Sequence, residues 1–348
     1  AFIPIMLPFK AFGLGAIFTA AFIGGIFQIW IGKILKPIRH MFPPLVTGIV
    51  VLMIGISLLK VGFKYAGGGV WLMNNKPEVF ANWEHLLIAG TVLIVALLCN
   101  LRGKGMISSA SILLGIIAGF IVAALLGQIS WGKIAAADWF ALPMPFQYGI
   151  DFVWGAVILM LFMSIVTTIE TIGDISATTM GGANREATNK ELSGGIMADG
   201  VGTAFASIFN AMPNTSYSQN AGLVAFTGVI SRHVGTVAGV ILILLGLFPK
   251  LGGIIAAMPD SVIGGAAIIM FGLIAGAGIK LISKSEMSQR NILILALSLS
   301  FGIGLYAFPE FVAHIPDFGI KLKLLLTTGL IPAGLLAFVL NATLPTKK

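Results

Sequence analysis

Residues 11–32 carry no acid and no base, and neither do residues 107–127. A helix of about 20 residues rises about 30 Å, the thickness of a bilayer's hydrocarbon core. Eleven apolar stretches can be read along the chain, near 11–32, 45–62, 84–101, 107–127, 153–179, 192–210, 219–230, 232–250, 262–282, 291–308 and 323–341. Composition agrees with this pattern. Hydrophobic residues make up 57% of the chain and charged ones 10%, against about 25% charged in an ordinary soluble domain. Most of the surface must therefore be solvated by lipid.

The chain carries a net charge of +8, but its basic residues stand singly or in pairs between apolar runs. That is the placement of topology-setting loops rather than of a phosphate-binding face, so no nucleic-acid partner is expected. If the loop holding Lys33, Lys36 and Arg39 is cytoplasmic, 13 of the 21 bases face that side and the C-terminus lies inside. The lone cysteine, Cys99, excludes an internal disulfide framework and a cysteine-cluster metal site. No HExxH, Walker or GxSxG pattern occurs, so nothing points to an enzyme, a metal or a cofactor. Trp71, Trp83, Trp131 and Trp139 fall in loops or at span ends, as interfacial anchors do.

Two segments break the pattern. The stretch 219–230 is too short to cross a bilayer alone and follows the polar run Asn214-Thr215-Ser216-Tyr217-Ser218. The opening Ala1–Pro8 is apolar, short and bounded by proline. Irregular backbone at membrane depth survives only where it lines a cavity, so both are expected at a binding site. An internal repeat links them. Met41, Gly48, Met53 and Gly55 recur as Met258, Gly265, Met270 and Gly272, all at an offset of 217, and Lys33 recurs as Lys250. The same offset pairs Ala1 and Phe2 with Ser218 and Gln219. Seven spans separate the copies, and an odd number inverts them. The expectation is an all-α polytopic membrane protein with an inverted repeat of seven plus seven spans, about two spans being absent ahead of Ala1.

Three acids lie well inside apolar spans: Glu170, Asp174 and Asp199. A charge at membrane depth costs roughly 2.5–3.5 kcal/mol to insert, so each is a functional candidate. Glu170 and Asp174 are four residues apart and share one helix face. They suit proton carriage, or else they satisfy neighbouring hydroxyls. Asp199, in an Ala-Asp-Gly triplet, either joins them or supports a helix bend. Gln219 and Asn220 open the short helix after the polar run. A primary amide offers donors and an acceptor together, which matches the mixed edge of a nucleobase, while a carboxylate can take two ring N–H groups. Asn220 is equally suited to bracing the helix start. Glycine pairs such as Gly24-Gly25 and Gly264-Gly265 read as close helix contacts.

The run Gln219-Asn220-Ala221-Gly222-Leu223-Val224-Ala225-Phe226-Thr227-Gly228 resembles the signature of the nucleobase–ascorbate transporters. Met212-Pro213-Asn214-Thr215, Glu170-Thr171-Ile172-Gly173-Asp174 and Phe42-Pro43-Pro44 are also similar to that family. The resemblance runs along the whole chain. It implies a core domain from residues 1–40 and 151–257 and a gate domain from 41–150 and 258–348. It further implies a purine base held by Glu170, Gln219, Ser218, Phe2 and Ala1, with Asp174, Asp199, Asn220 and Thr227 supporting the site and its coupling. Gln219 and Gly228 lean toward xanthine, then uric acid. A proton is the expected coupling ion, with sodium as the alternative. The cycle would be elevator-like, in a homodimer of a bacterial inner membrane. The alternatives are a uracil permease and an anion carrier of the sulfate-permease type, which shares the fold but has no need of Glu170.

Overall fold

The computed structural model describes residues 13–34, 43–217, 220, 224, 229–313 and 326–345. Among these the regular structure is helical throughout, with no strand. The long elements are α1 (Leu14–Lys33), α2 (Pro44–Ala66), α3 (Trp83–Arg102), α4 (Ser111–Leu125), α5 (Trp154–Ala183), α6 (Asn189–Ile208), α7 (Arg232–Gly246), α8 (Pro249–Ala257), α9 (Asp260–Ile282), α10 (Gln289–Ala307) and α11 (Leu330–Thr343). Six are long and apolar enough to cross a membrane, seven if α7 and α8 form one span.

Four helix starts, those of α3, α6, α7 and α10, carry side-chain caps. Asn82 accepts the His85 N–H at 3.1 Å at the start of α3, and Ser288 accepts that of Asn291 at 3.3 Å at the start of α10. A full capping box opens α6: Thr188 Oγ1 accepts the Glu191 N–H at 3.3 Å, and Glu191 accepts the Thr188 N–H at 2.9 Å. Arg185 donates to both Glu191 oxygens, at 2.9 and 2.5 Å. These bonds, Arg185's first and Thr188's next, hold the exposed Glu191 carboxyl below the usual carboxylate range. The expected span at 232–250 is in fact two helices, bent by 80° at Leu247 and Phe248. Pro249 explains the break, because it has no N–H for the preceding turn and fits instead as the first residue of α8. Likewise, the expected 107–127 helix is interrupted at Ala110.

Contacts gather into two compact units. The first comprises the described parts of residues 1–57, 144–230 and 274–348. Here α1 meets α5 and α6 through glycines. A Cβ on Gly25 would lie 2.6 Å from the Gly200 carbonyl oxygen, and one on Gly24 would lie 2.6 Å from Met160 Cγ. Backbones that close bring their carbonyls within reach of side chains: Ser164 Oγ donates to Gly24 O at 3.0 Å and Ser193 Oγ to Gly32 O at 2.7 Å. The first half of α2 runs antiparallel to the end of α9, with Gly48 against Ile282, Gly278 against Leu52 and Gly55 against Ala275. Arg290 Nη2 at the start of α10 donates to Asn341 O near the end of α11 at 2.6 Å.

The second unit comprises residues 58–143 and 231–273. Its core joins Ile88 and Val92 of α3 to Ala123, Ile129, Ala257, Val262 and Ala266. Gly264 lies against the backbone of Tyr65 and Ala66, and Gly265 against Ala89, so these glycines serve close packing as read from the sequence. Lys250 caps the short helix Trp131–Ala136, donating to the carbonyls of Ile134, Ala135 and Ala137 at 2.8, 3.0 and 2.7 Å.

Candidate functional site

The acids singled out above come together within the first unit. Glu170 and Asp174 lie on α5 and Asp199 on α6; Glu170 is 7% exposed and Asp199 9%. Residues 211–217 follow α6 without helical or strand structure, in keeping with the break expected there. Three consecutive residues of this segment reach the three acids. Asn214 Nδ2 donates to Asp199 Oδ1 at 3.2 Å, Thr215 Oγ1 to Glu170 Oε2 at 3.3 Å, and Ser216 Oγ to Asp174 Oδ2. An irregular backbone within an apolar bundle also needs partners for its own polar groups, and Thr203 Oγ1 donates to Asn214 O at 3.1 Å. The segment's side-chain donors end on the carboxylates.

Asp199 accepts three side-chain bonds. Its Oδ2 also accepts Gln28 Nε2 from α1 at 2.7 Å and Thr171 Oγ1 from α5 at 3.0 Å. Asn214 is fixed in turn by Thr203 of α6, whose hydroxyl donates to the Asn214 side-chain oxygen at 2.9 Å. Asp199 is thus a junction of α1, α5, α6 and the segment after α6. Glu170 is different. Among the described residues it accepts the single Thr215 bond, near the long end of hydrogen-bond range. An ionised carboxylate has about four acceptor positions, so Glu170 has capacity for ring N–H groups.

Asn220 is exposed, and its backbone N–H donates to Tyr217 O at 3.0 Å, tying the residue to the end of the irregular segment. Ala1, Phe2, Ser218, Gln219 and Thr227 lie outside the described residues. Gln28, Thr171 and Thr203 join the candidate site from the structure, which also shows which acid each of Asn214, Thr215 and Ser216 reaches. Of these, Gln28 had a usable signal: it is the one carboxamide in a charge-free run of 22 residues, 11–32.

Carboxylates held around an irregular polar segment of an apolar helical bundle are an arrangement that membrane carriers use at their binding sites. The comparisons agree. A family model named Xan_ur_permease and described as a permease family matches residues 1–311. The xanthine permease XanP of Escherichia coli K12 is 34% identical over 341 residues, covering 96% of this chain and 72% of its own length. The uric acid permease PucJ of Bacillus subtilis is 34% identical over 333 residues, 95% of this chain and 73% of its own. A Clostridium perfringens protein provisionally named a purine permease is 38% identical over 332 residues, 95% and 72%. The transmembrane domain of the cyanobacterial bicarbonate transporter BicA shares the fold, with a TM-score of 0.50, 16% identity and coverage of 94% of this chain and 77% of that one. The chain belongs to this permease family and is a multi-pass membrane transporter, not an enzyme.

Proposed function

We propose that the protein carries a purine nucleobase across a bacterial cytoplasmic membrane together with a proton, with xanthine preferred and uric acid next. The observation that carries this reading is Glu170, buried within α5 and accepting one long hydrogen bond among the described residues, with acceptor capacity beyond it. A carboxylate in that state suits the ring N–H groups of a purine and repels a small inorganic anion. The names of the relatives, xanthine permease and uric acid permease, support the same substrate class. Gln219 would read the mixed donor–acceptor edge of the base, with Ser218, Ala1 and Phe2 as further binding residues. Asp174 and Asp199, with Asn220 and Thr227, would couple the proton and hold the site's shape. A core of residues 1–40 and 151–257 would then move against a gate of 41–150 and 258–348 in an elevator-like cycle, as a homodimer.

Reconstitution tests this. Proteoliposomes are expected to accumulate radiolabelled xanthine under an inward proton gradient, to lose that accumulation with a protonophore, and to release chemically unchanged base. Accumulation driven by a sodium gradient alone would overturn proton coupling. Absence of saturable purine uptake under either gradient would overturn the substrate assignment.

A further inference from the structure

We propose that Gln28 is a positioning residue for the substrate site, holding Asp199 so that Asn214 can seat the segment carrying Thr215 and Ser216 against Glu170 and Asp174. The assignment deepens the proposed function and rests on it. Gln28 is 1% exposed, in a helix whose neighbouring residues are apolar or glycine. A carboxamide buried there without a partner is destabilising, so its presence has to be matched by a specific bond. That bond is a 2.7 Å contact to Asp199, from a residue 171 positions away in sequence. Bonds to a charged acceptor are shorter and stronger than neutral ones.

The surroundings make the bond a fixed one. Gly24, Gly25 and Gly32, a turn on either side of Gln28, press α1 onto α5 and α6 at distances that leave no room for a Cβ. The backbone carrying Gln28 is therefore held at a fixed distance from Asp199. With Gln28 and Thr171 both on Oδ2, the other oxygen, Oδ1, is turned to Asn214. Asn214 is in turn oriented by Thr203, and the next residue along the chain is Thr215, which touches Glu170. The path from α1 to the substrate carboxylate runs through four hydrogen-bonded groups and one peptide link. A residue whose only role was to fill the helix interface would not need this polarity, because a hydrophobic side chain of equal volume would pack as well.

That difference supplies the test. Gln28→Met keeps length and volume but has no donor, and Gln28→Asn keeps the amide one methylene short of Asp199. In purified protein, Gln28→Met is expected to fold but to melt below the wild-type temperature, because the buried Asp199 carboxyl loses one donor. Its xanthine and uric acid affinities are expected to fall about tenfold or more, the loss typical of a hydrogen bond to a charged group. Gln28→Asn is expected to lose affinity to the same degree. Because both act through one carboxyl, Gln28→Met combined with Asn214→Ala should bind no more weakly than about the worse single variant. Combined with Ser193→Ala, which loosens α1 from α6 away from the acids, the effects should add. Affinity within twofold of wild type in either Gln28 variant, or full additivity with Asn214→Ala, overturns the assignment while leaving the proposed function intact. Wild-type protein that binds neither purine overturns the function and this assignment with it.

Discussion

Glu170 and Asp199 are both buried carboxylates, yet neutralising them should have different consequences. Glu170 has one described partner, so Glu170→Gln removes a charge and leaves little unsatisfied. The expected result is folded protein whose melting temperature changes little and whose xanthine uptake is abolished. Wild-type uptake by this variant would remove Glu170 from the site. Asp199→Asn turns one acceptor oxygen into an NH2 group facing donors from Gln28 and Thr171 or from Asn214. At least one buried donor then loses its partner, at roughly 1–3 kcal/mol. This variant should therefore lose both thermal stability and uptake, and a melting curve with an uptake assay separates the two cases. Gln219→Glu is expected to shift the base preference toward uracil, which competition for xanthine uptake would register.

At the scale of elements, glycine spacing decides how closely helices approach. Gly25→Ala places a methyl 2.6 Å from the Gly200 carbonyl oxygen, a backbone clash that overpacking data put at about 1–3 kcal/mol. Gly272→Ala is the contrasting case: nothing lies within 4 Å of its added Cβ, so it should be neutral or gain up to ~1 kcal/mol from helix propensity. Equal melting temperatures for the two variants would contradict this account of the α1–α6 contact. At the exposed start of α6, Glu191's carboxyl is held below its ordinary range by Arg185 and Thr188. A lowered folded-state pKa stabilises the folded state above the unfolded value, and that contribution disappears as the pH falls through the folded one. Acidification below the ordinary glutamate range should weaken the cap, and Glu191→Gln should remove that pH dependence from the melting curve.

Much of the element map was legible because a bilayer fixes helix length. The expected 84–101 and 262–282 helices lie within a residue or two of α3 and α9. The break at Leu247 and Phe248 was missed because the apolar run continues unbroken through it, and only Pro249 marks the turn. The three acids were legible from the cost of burying charge. Gln28 stood out only as the one carboxamide in a charge-free run, and nothing in the sequence pointed to a partner 171 residues distant. Asn214, Thr215 and Ser216 were visible as a polar interruption, but which acid each one reaches depends on how α5 and α6 pack.

For the whole molecule, the outward faces carry the lipid contact that composition implies. Leu242 and Ile243 on α7, Leu101 on α3 and Leu125 on α4 are all more than 60% exposed. Trp71, Trp83, Trp131 and Trp139 are exposed as well, as interfacial anchors require. Among the described residues, the buried charged side chains are Glu170 and Asp199, and both meet the irregular segment after α6. That distribution fits a carrier that takes up a neutral or weakly charged base and a proton, and fits poorly with one built for a strong anion. The direct test is a thermal-shift comparison of the purified protein with xanthine, uric acid, uracil and sulfate, each at two pH values. Stabilisation by xanthine that changes with pH, with no response to sulfate, is the expected result. Stabilisation by sulfate, with no response to any base, would leave the fold standing and contradict the proposed function.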